Sequence, residues 1–227
     1  MQFRRGRCYR VRAQTAGTVG LLALSNDMSN RTSGEVTGVV VRADAPSEPA
    51  VELEGHGWVA IGNAVRLPSA DLEAELFEPE ADELDEVETK LADLLLLPEL
   101  CGTPPVRPGS PRQGDYPRWG RTYYAQPPLG GEVKRWLVVS HDWFNAASGR
   151  ALCVRTTSNT DLHGPELPYI QRGLALAVCP DVMTKRHERF ELDSASALPQ
   201  ASFDEMRKVA IGLANFLRLL RQAGLLQ

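Results

Sequence analysis

The sequence has few of the features that mark secreted, zinc-binding or membrane proteins. Its 227 residues include only four cysteines, which lie far apart and form no C-x-x-C pair: Cys8, Cys101, Cys153 and Cys179. This usage predicts reduced, mostly buried thiols and disfavours a disulfide framework or a zinc site. No apolar run approaches the ~20 residues of a membrane helix. The basic start MQFRRGRCYRVR lacks the apolar centre of a signal peptide, so we expect a cytoplasmic protein.

What the sequence does contain is a repeat. LALSNDMSNRTSG, residues 22–34, and LVVSHDWFNAASG, residues 137–149, share Ser, Asp, Asn, Ser and Gly at a constant separation of 115 residues. Upstream of each, RGRCY and GRTYY share Gly-Arg-x-Tyr. Near the end of each copy, DELDEVETKLADLL matches DEMRKVAIGLANFL at a separation of 122 residues. Three blocks in the same order indicate a tandem duplication.

The repeat also sets the expected domain boundaries. Residues 1–100 form the first copy and residues 118–227 the second. Between them, residues 101–117 read CGTPPVRPGSPRQGDYP, and this proline content is typical of a linker.

Each copy follows one plan. An apolar strand, a turn at Ser-Gly and a second β-rich run together predict a β-hairpin, and a third apolar run follows. An amphipathic helix closes the copy, and in the second copy Ser202 and Glu205 have the spacing of a capping box. Its apolar stripe comprises Met206, Val209, Ala210, Leu213, Phe216, Leu217 and Leu220. The sequence therefore predicts a mainly β fold with C-terminal helices, a small twisted sheet or barrel built twice.

These motifs and their order resemble the MazF/PemK toxins. The elements of the resemblance are Gly-x-x-Tyr, a basic pair before an apolar strand, S-x-D-x-x-N, a strand ending in Thr-Thr-Ser and a terminal DEM-x-x-V helix. The resemblance implies SH3-like barrels and a metal-independent, cofactor-free endoribonuclease that acts on single-stranded RNA as a homodimer. It also implies an antitoxin partner. A tandem duplicate could form a pseudo-dimer within one chain and so be monomeric.

The resemblance further implies a catalytic pair, an arginine before the first core strand and a threonine at the end of the next. In the second copy these positions carry Lys134-Arg135 and Thr157. Gapless alignment puts Lys134 at the arginine position and a one-residue shift puts Arg135 there, so the choice between them stays open. Side chains alternate along a strand, and only one of the two should face the groove. In the first copy the same alignment gives Val19-Gly20 and Arg42, which lack both functional groups.

Other residues of the second copy are candidate RNA contacts. Tyr123 and Trp143 could stack on splayed bases, and Arg155 and Ser158 lie beside Thr157. His141 is interpreted as a polar strand-end residue, because a neighbouring Asp142 on a strand would face the other way. Since Asp142 recurs in the degenerate first copy as Asp27, both are interpreted as turn or capping residues.

Charge separates the two copies. Residues 1–100 carry a net charge of −9 and residues 117–227 a net charge of +4. Much of the acidity lies in residues 71–93, with 11 acidic residues and one lysine. This acidic segment is either a solvated helix face or a cover for a basic groove. The arginines among residues 4–12 could flank that groove, and nucleic acid should prefer the second copy.

Two other functions fit the same fold. One is a MazF-like binding or regulatory protein whose catalysis has decayed. The other is a gyrase poison of the related CcdB type. A C-terminal Trp-Gly-Ile characterises the second class, whereas this chain ends in AGLLQ. Under the endoribonuclease hypothesis, RNA cleavage would proceed through attack by the 2′-OH at one surviving site.

Overall fold

Strands form most of the regular structure of the chain, for which we analysed a computed structural model. It describes residues 3–12, 16–102, 114–126, 132–162, 164–193 and 200–225. The middle of the expected linker, residues 103–113, lies outside the described residues.

The strands fall into two halves. The described first half contains β1 (Cys8–Val11), β2 (Thr18–Ala23), β3 (Glu35–Arg42), β4 (Ala50–Leu53), β5 (Gly57–Pro68) and β6 (Leu72–Phe77). The described second half contains β7 (Thr122–Ala125), β8 (Lys134–Val138), β9 (Arg150–Thr157), β10 (Tyr169–Ile170), β11 (Ala175–Arg186) and β12 (Phe190–Glu191).

The helices also divide between the two halves. The first half contains α1 (Asp27–Ser33), α2 (Ala81–Leu94) and α3 (Leu97–Cys101). The second half contains α4 (Asp142–Ser148) and α5 (Phe203–Leu217). Within the described ranges, no helix combines the length and the apolar character that a membrane span requires.

Both halves have one topology. The strand order is β4-β5-β3-β2-β1-β6 in the first sheet and β10-β11-β9-β8-β7-β12 in the second, with antiparallel neighbours throughout. Equivalent strands occupy equivalent places, and each half ends in a helical segment. The predicted fold class, a mainly β architecture with C-terminal helices built twice, is confirmed.

The connection between the first two core strands differs from the predicted hairpin. β2 and β3 are antiparallel neighbours, as are β8 and β9, but a seven-residue helix, α1 or α4, joins each pair. The Ser-Gly pair ends that helix instead of forming a tight turn. Gly34 and Gly149 adopt the left-handed conformation at its C-terminus, with φ of 69° and 66°, which glycine adopts without a steric penalty.

The repeated Ser-x-Asp-x-x-Asn motif builds a buried polar network at this helix. In the second copy the Ser140 hydroxyl donates to Asn145 Oδ1 and accepts the backbone N–H of Leu152 at 2.9 Å. The Asn145 amide donates to the backbone carbonyls of Ser140, at 3.1 Å, and Pro117, at 3.0 Å. Both side chains are fully buried, so each satisfies polar groups that water cannot reach.

The first copy contains the same network. Ser25 bonds to Asn30 and to the N–H of Thr37. The recurring aspartates also have matching backbone partners: Asp27 accepts from Arg5 N and Asp142 from Trp119 N, each at 2.7 Å. The motif therefore recurs for structural reasons, in agreement with the interpretation of its aspartates as turn residues.

The two copies are in direct contact through reciprocal hydrogen bonds. The N–H of Asn26 donates to the carbonyl of Phe216 at 3.3 Å, and the N–H of His141 donates to the carbonyl of Leu94 at 2.9 Å. Asn26 and His141 are equivalent positions in the repeat, as are Leu94 and Phe216. Each short helix thus begins against the C-terminal end of the long helix of the other copy, α5 for α1 and α2 for α4.

A second reciprocal contact joins β5 and β11. Thr184 Oγ1 donates to the carbonyl of Gly62 at 2.8 Å and accepts the N–H of Ala64 at 2.8 Å. In the other direction, a guanidinium nitrogen of Arg66 donates to the carbonyl of Pro180 at 3.2 Å. Because equivalent strands contact each other, the arrangement has the self-complementary pattern of an isologous interface.

One hydrophobic core spans both copies. It includes Leu24 and Leu91 from the first and Leu152 and Leu217 from the second. Burying one such side chain contributes about 1.5–3 kcal/mol. Gly62 lets the copies approach closely, since a Cβ there would lie 2.5 Å from the Phe144 ring.

The C-terminal helix follows the sequence prediction. Ser202 Oγ accepts the N–H of Glu205 at 3.3 Å, and the Glu205 carboxylate accepts the N–H of Ser202 at 2.7 Å. In α2, Glu80 and Glu83 form the equivalent capping box. Both helices bury an apolar face against the shared core.

Replacing Asn145 by alanine should destabilise the protein by about 2–3 kcal/mol, because Ser140 and two backbone carbonyls lose a buried partner. Urea unfolding followed by circular dichroism measures the change. Gln200→Ala, at an exposed position, is the control and should alter the unfolding free energy by less than about 0.5 kcal/mol. Equal effects of the two substitutions would contradict the structural role of the network.

Candidate functional site

The predicted catalytic residues lie at one end of two neighbouring strands. Lys134 is the first residue of β8 and Thr157 the last residue of β9. The two strands pair with Trp136 opposite Arg155 and Leu137 opposite Val154. Continuing this register by two residues puts Lys134 opposite Thr157.

The register also distinguishes Lys134 from Arg135. Side chains alternate along each strand, so Lys134 and Thr157 belong to the face that carries Trp136. Arg135 belongs to the opposite face, with Thr156, whose hydroxyl donates to the Arg135 carbonyl at 3.3 Å. Lys134 therefore shares a face with Thr157, and Arg135 does not.

Hydrogen bonding orients the hydroxyl of Thr157. Its Oγ1 accepts the backbone N–H of Asn159 at 3.2 Å, which leaves the hydroxyl proton available to donate to a ligand oxygen. Lys134 is exposed, and among the described residues neither Lys134 nor Arg135 forms an ion pair. The site therefore presents an unneutralised cation beside a hydroxyl donor, a pair suited to a phosphate group.

The neighbours of Thr157 differ in availability. Ser158 is exposed directly after β9. Arg155 pairs with Asp181, which also pairs with Arg66 of the first copy. Arg155 thus belongs to an ion network between the copies.

The two aromatic candidates are placed differently from each other. Trp143 lies on α4 with 41% of its surface exposed. Tyr123 is 3% exposed, packs edge-on against Phe190 and accepts the N–H of Arg118 at 2.9 Å. This burial assigns Tyr123 to the core and corrects its prediction as a stacking residue. Sequence reasoning had no signal that separated a core tyrosine from a surface one on so short a strand.

His141 has a structural partner. Its Nδ1 accepts the N–H of Trp143 at 3.1 Å and caps α4. His141, which was predicted to be a polar residue at a strand end, is therefore a helix cap. Asp142 is the first residue of α4 and does not lie on a strand. The two side chains are therefore held by separate backbone groups.

The equivalent position in the first copy has a different chemistry. Val19 and Gly20 lie in β2, and Arg42 ends β3 opposite Thr18. Neither a strand cation at position 19 nor a hydroxyl at position 42 is present.

The acidic segment, residues 71–93, pairs with other groups than Lys134 and Arg135. Its ion pairs reach three arginines near the N-terminus, one lysine of its own helix and one arginine of the C-terminal region: Arg5, Arg7, Arg12, Lys90 and Arg221. These contacts favour the interpretation as a structural, solvated element over that of a groove cover. They also neutralise three of the N-terminal arginines that could have flanked a groove.

The shifted pKa values lie mostly in the cores. All four cysteines are unpaired and buried, as predicted. Burial raises the pKa of Cys8 to about 12 and that of Cys101 to about 11. Lys185 is buried with Nζ 3.9 Å from the centroid of the Trp136 ring, and desolvation lowers its pKa. Sequence analysis did not single out this lysine, which reads as one polar residue at the end of a strand.

Glu166 was also missed by sequence reasoning. It lies in the connection between β9 and β10, and burial raises the pKa of its carboxyl group. His187 follows β11 and its pKa is lowered by burial. Three-residue clusters of His, Cys, Asp and Glu that could hold a metal ion do not occur within the described ranges.

Comparisons with known proteins were made for sequence and for structure. The sequence matches no protein-family model and no curated protein. Among solved structures, the chain is similar to MazF-type endoribonucleases. An endoribonuclease from a mycobacterial species is 24% identical over 41% of this chain and 90% of its own, with a TM-score of 0.32.

Two complexes are similar to the same degree. A mycobacterial endoribonuclease bound to its cognate antitoxin is 27% identical over 40% of this chain and 91% of its own, with a TM-score of 0.33. The MazE–MazF complex from Deinococcus radiodurans is 24% identical over 41% of this chain and 95% of its own, with a TM-score of 0.35.

Stability should fall as the pH is lowered from 7.5 to 5, in part because of His187. Burial lowers its pKa in the folded state, so the unfolded chain binds the proton more readily and is stabilised relative to the folded chain as the pH falls through the ordinary histidine range. His187→Gln should show a smaller acid loss in urea unfolding at the two pH values. A steeper acid loss in His187→Gln than in the wild type would contradict the assignment.

Proposed function

We propose that the chain is a metal-independent endoribonuclease of the MazF/PemK type that cleaves single-stranded RNA at one site in its second copy. The observation that carries the proposal is the register of β8 with β9, which, continued by two residues, puts Lys134 opposite Thr157 on one face. The motif resemblance of the sequence supports the same activity.

The chemistry gives each residue a task. The 2′ oxygen of the nucleotide before the cut attacks phosphorus, a new O2′–P bond forms and the P–O5′ bond breaks. A proton leaves the 2′-OH and one is taken up by the departing 5′ oxygen. The products are a 2′,3′-cyclic phosphate and a 5′-OH. Negative charge grows on the non-bridging oxygens, where Lys134 and the Thr157 hydroxyl stabilise it.

This assignment makes the two copies unequal. The second copy, residues 118–227, carries the reaction, and the first, residues 1–100, serves as its scaffold, with residues 101–117 as the link. The reciprocal contacts between the copies support a pseudo-dimer within one chain, in place of a homodimer. We further propose an antitoxin partner and a cytoplasmic site of action, both from the sequence resemblance.

A lysine at this position binds phosphate as a point charge, whereas an arginine offers a planar pair of donors. We therefore propose that Lys134→Arg keeps or increases the activity. Ser158, and Arg155 where Asp181 leaves it free, are the proposed backbone contacts of the RNA next to the cut.

Cleavage of a long single-stranded RNA in EDTA, followed by analysis of the new ends, tests the function. The wild type should produce 2′,3′-cyclic phosphates. Lys134→Ala and Thr157→Ala should each reduce the cleavage rate about 100-fold, since removing one preorganised group that stabilises the transition-state charge has an effect of about that size. Arg135→Ala, on the opposite face, is the matched control and should retain most of the activity.

Two results would decide against this function. A requirement for added magnesium, or full activity of Thr157→Ala, would exclude the proposed site. RNA binding without cleavage by the wild type would instead support the alternative of a catalytically decayed binding protein.

The acidic segment should not control RNA binding. Asp85 contacts Arg221 and Gln222, so Asp85→Asn should leave the RNA affinity of the Thr157→Ala variant unchanged within about twofold, apart from field effects screened over about 8 Å at physiological salt. Gel-shift titrations at low and physiological salt measure it. A several-fold gain confined to low salt would revive the groove-cover interpretation.

A further inference from the structure

An open cleft of about 810 Å³ lies between the two copies, away from the Lys134–Thr157 pair. One wall is the connection between β3 and β4, and the other is α4 of the second copy. The lining residues that carry the argument are Arg42, Glu48, Trp143 and Arg150.

The cleft contains one uncompensated cation. Glu48 and Arg150 neutralise each other, since one guanidinium nitrogen lies 2.9 Å from both carboxylate oxygens. Arg42 forms no ion pair within the described ranges, and its Nε is buried without a hydrogen-bond partner. Asp44, the nearest acid on the same connection, is exposed and does not line the cleft. An anion bound beside Arg42 would therefore meet a net positive wall.

The opposite wall contains a flat aromatic surface. Trp143 is 41% exposed, and it meets Phe144 edge-on with the ring planes at 90°, which fixes its orientation. An indole face across a cleft from a guanidinium group suits one nucleotide, with the base stacked on the ring and the phosphate held by the arginine. An acidic peptide would use the arginine but gains less from the open indole face.

The position of Arg42 in the repeat points to the same ligand. Arg42 ends β3 as Thr157 ends β9, 115 residues later. It therefore occupies the place in the first copy where the second copy would hold the phosphate to be cut. With valine at position 19 in place of Lys134, this place can bind a phosphate without supplying the catalytic pair.

We propose that this cleft is a non-cleaving RNA subsite, in which Arg42 and Trp143 hold a nucleotide of the strand that is cut at Thr157. The inference rests on the proposed endoribonuclease function and extends it. The degenerate copy then sets how long an RNA must be for tight binding. Because the two walls belong to different copies, the subsite exists only in the assembled pair.

Cleavage kinetics with a length series test the subsite. RNAs with a single cut site and increasing extensions on either side are assayed in EDTA. For long RNAs, Arg42→Gln and Trp143→Ala should each raise KM about 10-fold and leave kcat within twofold, since loss of one stacked base costs about that much or more. For the shortest cleavable RNA neither substitution should change KM.

Further variants separate the contributions of charge and ring. Trp143→Phe retains an aromatic face and should recover most of the affinity. Arg42→Gln should lower the salt dependence of binding by about one phosphate contact. Lys208→Gln, which removes an exposed cation of α5, is the matched control and should leave KM and the salt dependence unchanged.

The outcomes for the subsite and for the function are distinguishable. An equal KM increase for long and short RNAs, or a loss of kcat in Arg42→Gln, would overturn the subsite while leaving cleavage at Thr157 in place. If the wild type does not cleave, the proposed function fails, and fluorescence anisotropy with the same RNA series then decides the subsite. Binding of an oligo-glutamate peptide that needs Arg42, with RNA affinity unchanged by Arg42→Gln, would overturn it in favour of a peptide site.

Discussion

The buried serine–asparagine pair after the first core strand is the constraint on which the rest of the architecture depends. Ser140 and Asn145 hold the strand, the short helix and the next strand in one arrangement. That arrangement directs the N–H of His141, at the start of the helix, to the carbonyl of Leu94 in the other copy.

 In the opposite direction, the N–H of Asn26 makes the same contact with the carbonyl of Phe216. A local polar network thus fixes how the two copies meet, and the meeting of the copies creates both the shared core and the cleft beside Trp143.

Much of this organisation could be predicted from the sequence because the same motifs occur in both halves of the chain. Matching motifs identified the two copies, and the capping box of Ser202 and Glu205 correctly identified the start of α5. The short helices were missed, because seven residues carry too little periodicity to reveal a helix and Ser-Gly also favours turns. Only backbone geometry shows that Gly34 and Gly149 end helices.

The candidate site was predictable in part for similar reasons. Motif order placed Lys134, Arg135 and Thr157 near each other, whereas the choice between the two cations needed the register of β8 with β9. The burial of Tyr123 and the engagement of Arg155 with Asp181 depend on contacts with residues distant in sequence. Such contacts leave no local pattern. The cleft between the copies was unpredictable for the same reason, since Glu48 on one wall and Arg150 on the other are 102 residues apart in the chain.

The shared core has a consequence for how the protein is made. The first copy leaves the ribosome before α5 has been synthesised, and until then Leu24 and Leu91 lack the second-copy side chains that complete their core. A nascent chain with such an uncovered apolar face is prone to aggregate or to bind chaperones. Because residues 203–217 are synthesised late, packing of the C-terminal helix is the closing step of folding. If the ribosome stalls before this helix is made, the apolar face of the first half stays uncovered.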